Sequence, residues 1–314
     1  MVPLALDHKI QAFVNQLSAH AAAPVYTLTP AMARAGLVEL QSHAETSLAV
    51  EVHDRSIIVE GRSVTLRIVR PPDAATGPVA LYLHGAGWVM GDFRTHGQLV
   101  KELATGSKST FVFLEYDRAP EAQYPVAIEQ AYATACCIAE SEKSLGLNTA
   151  KLVLVGDSSG GNMAAAVTIL SNIRRGPRIA GQVLFYPAMS SGFDTESYKT
   201  YAEGPWLTRK AMEWFWNQYL PNKQKRSEPT ASPLLASDGL FKAFPPTLIV
   251  TAEHDILRDE GEAFAHKLMS AGVETVATRY NGTIHDFMLL NAISQSSPVK
   301  AALAQAIQFL DRLF

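Results

Sequence analysis

The chain has 314 residues, 47% of them hydrophobic and 18% charged, with a formal net charge of −3. That length buries a large core, and the low charged fraction excludes a disordered chain. No basic stripe points to nucleic acid, and no acidic tail points to a solvating arm.

The N-terminal stretch MVPLALDHKIQAFVNQL carries Asp7 and Lys9 early and has no basic leader region, unlike a signal peptide. Ile10, Phe13, Val14 and Leu17 recur at helical spacing and predict an amphipathic helix. Residues 1–50 read as helical and precede the first strand. Seven short β-rich runs follow as predicted strands: 63–70, 79–85, 109–116, 151–157, 181–187, 246–252 and 274–280. Helical patterns at 96–106, 124–143, 160–174, 259–272 and about 298–313 lie among them. Alternation from residue 79 onward predicts a mostly parallel sheet with helices on both faces. Ligands of such sheets bind at the carboxyl ends of the strands.

Residues 188–236 break the alternation. They contain EGPWLTRKAMEWFWNQYLP, with Thr208 as a helix N-cap and Pro221 as a stop. A plain strand–helix–strand link does not need this length. We expect this excursion and residues 1–50 to pack together as a cap, over a catalytic domain of residues 51–314. The adjacent Cys136 and Cys137 sit in a predicted helix, where neighbours form a poor disulfide. They read as small buried side chains of a chain in a reducing compartment. No run of about 18 apolar residues suggests a membrane span, so a cytoplasmic protein is expected.

KLVLVGDSSGGNMAAAV, residues 151–167, runs from a strand through two serines into a helix and contains G-x-S-x-G. A nucleophile on so sharp a turn adopts strained dihedrals, which crowds the positions two before and two after it. Glycine at both removes the clash. Centred on Ser158 the flanks are Gly156 and Gly160; centred on Ser159 one flank is Asp157. Ser158 is therefore the nucleophile candidate, and Ser159 would instead supply its backbone N–H to a developing oxyanion. A serine needs a base, and the base needs an orienting carboxylate.

Only His254, His266 and His285 follow Ser158 in the chain. His266 falls inside a helix, and His254 adjoins Asp255. His285, after the last strand, is the best base. Asp255, beyond the strand 246–252, is the best acid, with Glu253 in reserve and Asp286 weaker. The small residues of His84-Gly85-Ala86-Gly87 let backbone N–H groups face the site, with His84 bracing the loop.

HGAGW, EYDRAPE, GDSSGG, HDILRDEG and HDF occur in this order, and together they resemble the hormone-sensitive-lipase-like (bacterial family IV) carboxylesterases. The resemblance covers roughly residues 60–314 and implies an α/β-hydrolase fold with a helical cap. It implies a triad of Ser158, Asp255 and His285, and an oxyanion hole from the N–H groups of Gly85, Ala86 and Ser159. It implies no metal and no cofactor, a small-molecule ester substrate and, by family analogy, a homodimer through the last strand's edge. EYDRAPE, residues 115–121, stands where the family has DYRLAPE, which changes that loop's usual side-chain contacts but not the triad, and three single positions also depart from the pattern. Ala86 replaces a glycine, Ser159 an alanine, and Asp286 a glycine. A carboxylate at 286 raises the pKa of His285 unless water solvates it.

Trp88, Trp206 and Trp214 are candidates to line an apolar pocket for short to medium acyl chains. Two other readings remain: a non-catalytic ligand-binding module on the same fold, and an amidase or peptidase using the same triad.

Overall fold

The computed structural model describes residues 5–20, 23–42, 48–72, 74, 79–140 and 151–313. Its strands are β1 (Glu51–Val59), β2 (Arg62–Arg70), β3 (Val79–Leu83), β4 (Thr110–Glu115), β5 (Leu152–Asp157), β6 (Ile179–Phe185), β7 (Thr247–His254) and β8 (Thr275–Ile284). They form one sheet in the order β1-β2-β4-β3-β5-β6-β7-β8. The pairs β1–β2 and β2–β4 are antiparallel. Every pair from β4 to β8 is parallel. The helices are α1 (His8–Ala19), α2 (Pro30–Gln41), α3 (Phe93–Ser107), α4 (Val126–Glu140), α5 (Ser159–Arg174), α6 (Glu196–Thr200), α7 (Arg209–Tyr219), α8 (Asp238–Phe241), α9 (Arg258–Ser270) and α10 (Ser297–Leu313).

Side chains alternate across the sheet, and each face has its own core. Leu81, Leu83, Val112, Leu154 and Ile249 pack with α4, α5 and α9. Ala80, Tyr82, Phe113, Val155 and Val250 pack with α1, α3 and α10. Burial on both faces is why these strands are apolar throughout.

All seven predicted strands are present within a few residues, and β1 is additional. Its sequence, EVHDRSIIV, is largely exposed. As an edge strand it is held by its backbone ladder to β2, through a two-residue turn at Glu60 and Gly61 with φ 49° and 78°. No apolar alternation marks such a strand. Predicted helix residues 141–143 lie outside the described residues.

A helical cap sits on this frame. The Val25–Thr27 turn meets α7, and the Phe13 ring lies 5.8 Å from Trp206. Thr208 caps α7 through the N–H of Ala211 at 3.1 Å. Arg34 of α2 forks onto Glu121 and donates to the carbonyls of Val89 and Ala119.

Gln41 ends α2 fully buried. Its amide donates to the carbonyls of Thr95 and Leu289 and accepts from the N–H of Asn291. Gln41→Leu strands all three backbone groups, so a loss of about 2–4 kcal/mol in unfolding free energy is expected in a urea titration. Unchanged stability would show that the N-terminal helices are not fastened this way.

Candidate active site

Four loops at the carboxyl ends of β3, β5, β7 and β8 converge. Ser158, between β5 and α5, has φ 50° and ψ −118°. A Cβ on Gly156 would collide with the backbone of Gly160 and Gly161, and one on Gly160 with the Leu83 carbonyl. The flanking glycines thus permit the turn that lifts the serine hydroxyl out of the chain. Ser158 donates its N–H to Phe185 and accepts from Ala188, which ties the turn to the end of β6.

His285 meets both other members of the predicted set. Its Nε2 lies 3.0 Å from Ser158 Oγ, and its Nδ1 lies 2.7 Å from Asp255 Oδ2. A carboxylate only accepts, so Nδ1 carries the proton and Nε2 is free to take one from the hydroxyl. The N–H of Leu257 fixes the other Asp255 oxygen at 2.9 Å. All three side chains are buried. Burial by itself lowers the pKa of His285, but the charges of Asp255 and then Asp286 outweigh it and push it up to about 9. The edge-on ring of Tyr186, 4.9 Å away, closes one side of the imidazole.

The remaining candidates have other tasks. Glu253 accepts from the N–H of Gly282 at 2.7 Å and so anchors β8 before the base loop. His254 is buried against Tyr201, and His266 is exposed on α9.

The expected oxyanion donors need one correction. The N–H of Gly85 is already donated to Asp157 Oδ1, at 3.1 Å. That carboxylate also accepts from Tyr82 Oη at 2.7 Å, and it lies in the core between β5 and the loop. The N–H groups of Ala86 and Ser159 have no protein acceptor among the described residues, and Gly87 joins them in that state. Ala86, Gly87 and Trp88 all have positive φ, 69°, 67° and 60°. Successive left-handed residues turn neighbouring N–H groups into one concavity, which suits an anion. Phe215 of α7 covers this loop so closely that any side chain at 87 would strike its ring.

The hydroxyl of Ser159 has a separate use that the sequence did not announce. It accepts from the N–H of Trp88 at 3.2 Å and so holds the loop against the elbow. A second buried histidine–carboxylate pair, His96 Nε2 to Asp157 Oδ2 at 3.3 Å, lies behind the loop. The other ring nitrogen of His96 meets Thr95 Oγ1 and no nucleophile, so this pair braces the loop. His84 does the same. It stacks on Tyr116 at 4.1 Å, and burial followed by the nearby His96 drives its pKa well down.

The three tryptophans differ. Trp88 is fully buried, stacked on Tyr219 at 4.2 Å, and packs in the core. Trp214 is half-buried beside Phe215. Trp206 alone connects to the base loop, donating its indole N–H to Asp286 Oδ2 at 2.9 Å. No helix among the described residues is long and apolar enough to cross a membrane.

A family model described as alpha/beta hydrolase fold matches residues 80–289. The crystal structure of a thermostable esterase from Pseudomonas putida superimposes with a TM-score of 0.97 at 41% identity, covering 99% of this chain and 98% of that one. An ethyl acetate hydrolase of Pseudomonas putida is 34% identical, over 76% of this chain and 76% of its own. Carboxylesterase NlhH of Mycobacterium tuberculosis is 30% identical, over 82% of each chain. With that match spanning most of the chain, and with esterases of this likeness on either side of it, the protein belongs to the α/β-hydrolase fold family as an esterase related to the hormone-sensitive-lipase-like carboxylesterases.

Proposed function

We propose that the protein is a serine carboxylesterase that hydrolyses short- to medium-chain acyl esters through an acyl-enzyme on Ser158. The observation that carries this reading is the buried Asp255–His285–Ser158 hydrogen-bond chain, set beside three backbone N–H groups that have no acceptor among the described residues. His285 Nε2 takes the hydroxyl proton as Oγ attacks the ester carbonyl. Asp255 holds the imidazole tautomer and stabilises the imidazolium. The oxyanion settles on the N–H groups of Ala86, Gly87 and Ser159, each such donor contributing about 2.7–4 kcal/mol to the barrier reduction. His285 then protonates the departing alkoxide, and water cleaves the acyl-enzyme by the same path.

The closeness of Phe215 to the oxyanion loop and the name of the ethyl acetate hydrolase relative support small acyl groups. An acyl series of p-nitrophenyl esters with matched anilides tests the reading. Rates should peak at short chains, with the anilides far behind. Comparable anilide turnover would indicate an amidase, and turnover of neither would indicate a binding module.

The same reading makes residues 1–50 and about 188–236 the cap and residues 51–314 the catalytic domain. It places the protein in the cytoplasm, with no nucleic-acid partner. A homodimer through the edge of β8 is its expected assembly, which light scattering in solution reads directly.

A further inference from the structure

Position 286 carries a carboxylate where the backbone is left-handed, at φ 63°. Glycine is the least strained residue there, and Asp and Asn are the best tolerated of the others. The side chain is mostly buried, and its two oxygens have different surroundings. Oδ2 accepts the Trp206 indole N–H at 2.9 Å. Oδ1 is buried without a hydrogen-bond partner among the described residues, and it lies 3.4 Å from His285 Nε2. That nitrogen is the one facing Ser158 Oγ. A buried carboxylate with a single neutral donor is poorly compensated, and the group placed to compensate it is His285 once protonated.

We propose that Asp286 is a positioning residue, a second carboxylate partner of His285 that is held in place by Trp206 of the cap and sets the pH range in which His285 acts as a base. The inference rests on Ser158 and His285 being nucleophile and base. His285 faces Asp255 from the β7 loop, Ser158 from the elbow and the Tyr186 ring from the end of β6, with Asp157 at longer range. Asp286 faces His285 and Trp206, with Asp157 and His96 farther off. The imidazole is thus flanked by two carboxylates, one at each nitrogen.

Both favour the imidazolium. Below the raised pKa of His285 a proton sits on Nε2 and prevents the ring from accepting one from Ser158, so activity falls as pH falls through it. Burial raises Asp286 itself above the ordinary carboxylate range, while His285 and the Trp206 N–H pull it back. The Trp206 contact therefore aims the carboxylate and favours its charged form against burial. Trp206 packs on Phe13 of α1, so both parts of the cap reach the base through this one side chain.

The test is the pH profile of kcat/KM for p-nitrophenyl acetate in wild type, Asp286→Asn, Trp206→Phe and Ser158→Ala. Asparagine tolerates the left-handed backbone and keeps an acceptor for Trp206, but has no charge. Its acid limb should move down by at least about one pH unit, which raises kcat/KM about tenfold on the acid side. Trp206→Phe should shift the limb in the same direction by less. Acid limbs that superimpose on wild type in both variants would overturn the proposal. Ser158→Ala separates the two levels: inactive at every pH, it leaves the triad standing whatever Asp286 does, and an active Ser158→Ala would sink both.

Discussion

Ser158→Ala should lower kcat for p-nitrophenyl acetate by about 10⁶ while leaving the melting temperature within a degree or two of wild type. The substitution removes one oxygen from a side chain whose backbone is fixed independently, through Phe185 and Ala188. The elbow therefore persists without its nucleophile. His285→Ala should cost about as much, and the double variant no more than either alone, because the pair acts as one unit. Asp255→Asn should cost about 10⁴, since an amide in contact with Nδ1 favours the tautomer that puts the proton on Nε2. Undiminished turnover in Ser158→Ala would remove the basis of the proposed chemistry.

Gly160→Ala should fail for a steric reason. The added methyl would run into the Leu83 carbonyl and the backbone of His84. No flexible side chain can move aside there, because β3 is hydrogen-bonded on both edges to β4 and β5. We expect a loss of about 3–5 kcal/mol and a fall in melting temperature on the order of 10 °C, with esterase activity lost alongside. Gly36→Ala is the matched control. It lies inside α2 with nothing within 4 Å of an added Cβ, so alanine should stabilise by about 0.5–1 kcal/mol. If scanning calorimetry found the two variants alike, the glycine at 160 would have no steric role.

These two expectations use features the sequence carries openly. The glycines at 156 and 160 select Ser158 over Ser159 because the clash they avoid is local to one turn. The parallel core of the sheet is legible in apolar runs such as LVLVG, since burial on both faces suppresses alternation. Chain order narrows the base to three histidines, and the loop positions of His285 and Asp255 favour them, but only the fold brings them together with Ser158. The strand β1 is not legible, because an exposed edge strand satisfies its backbone without any apolar pattern.

Sequence alone determined which groups are available: one strained serine, a histidine after the last strand, an aspartate after the strand before it, and a loop of small residues. Tertiary structure alone decided how each donor and acceptor is spent. Gly85 and Gly87 are equivalent as letters, yet the arrival of Asp157 from 72 positions away claims the N–H of Gly85 and leaves that of Gly87 open. Ser159 Oγ becomes a brace only because Trp88 reaches it. Asp286 meets His285 as a partner only because an indole 80 positions earlier holds its other oxygen. Backbone sterics and burial patterns act over a few residues and are written in the order of the chain. Hydrogen-bond partners are chosen by proximity in space, which only the folded chain supplies.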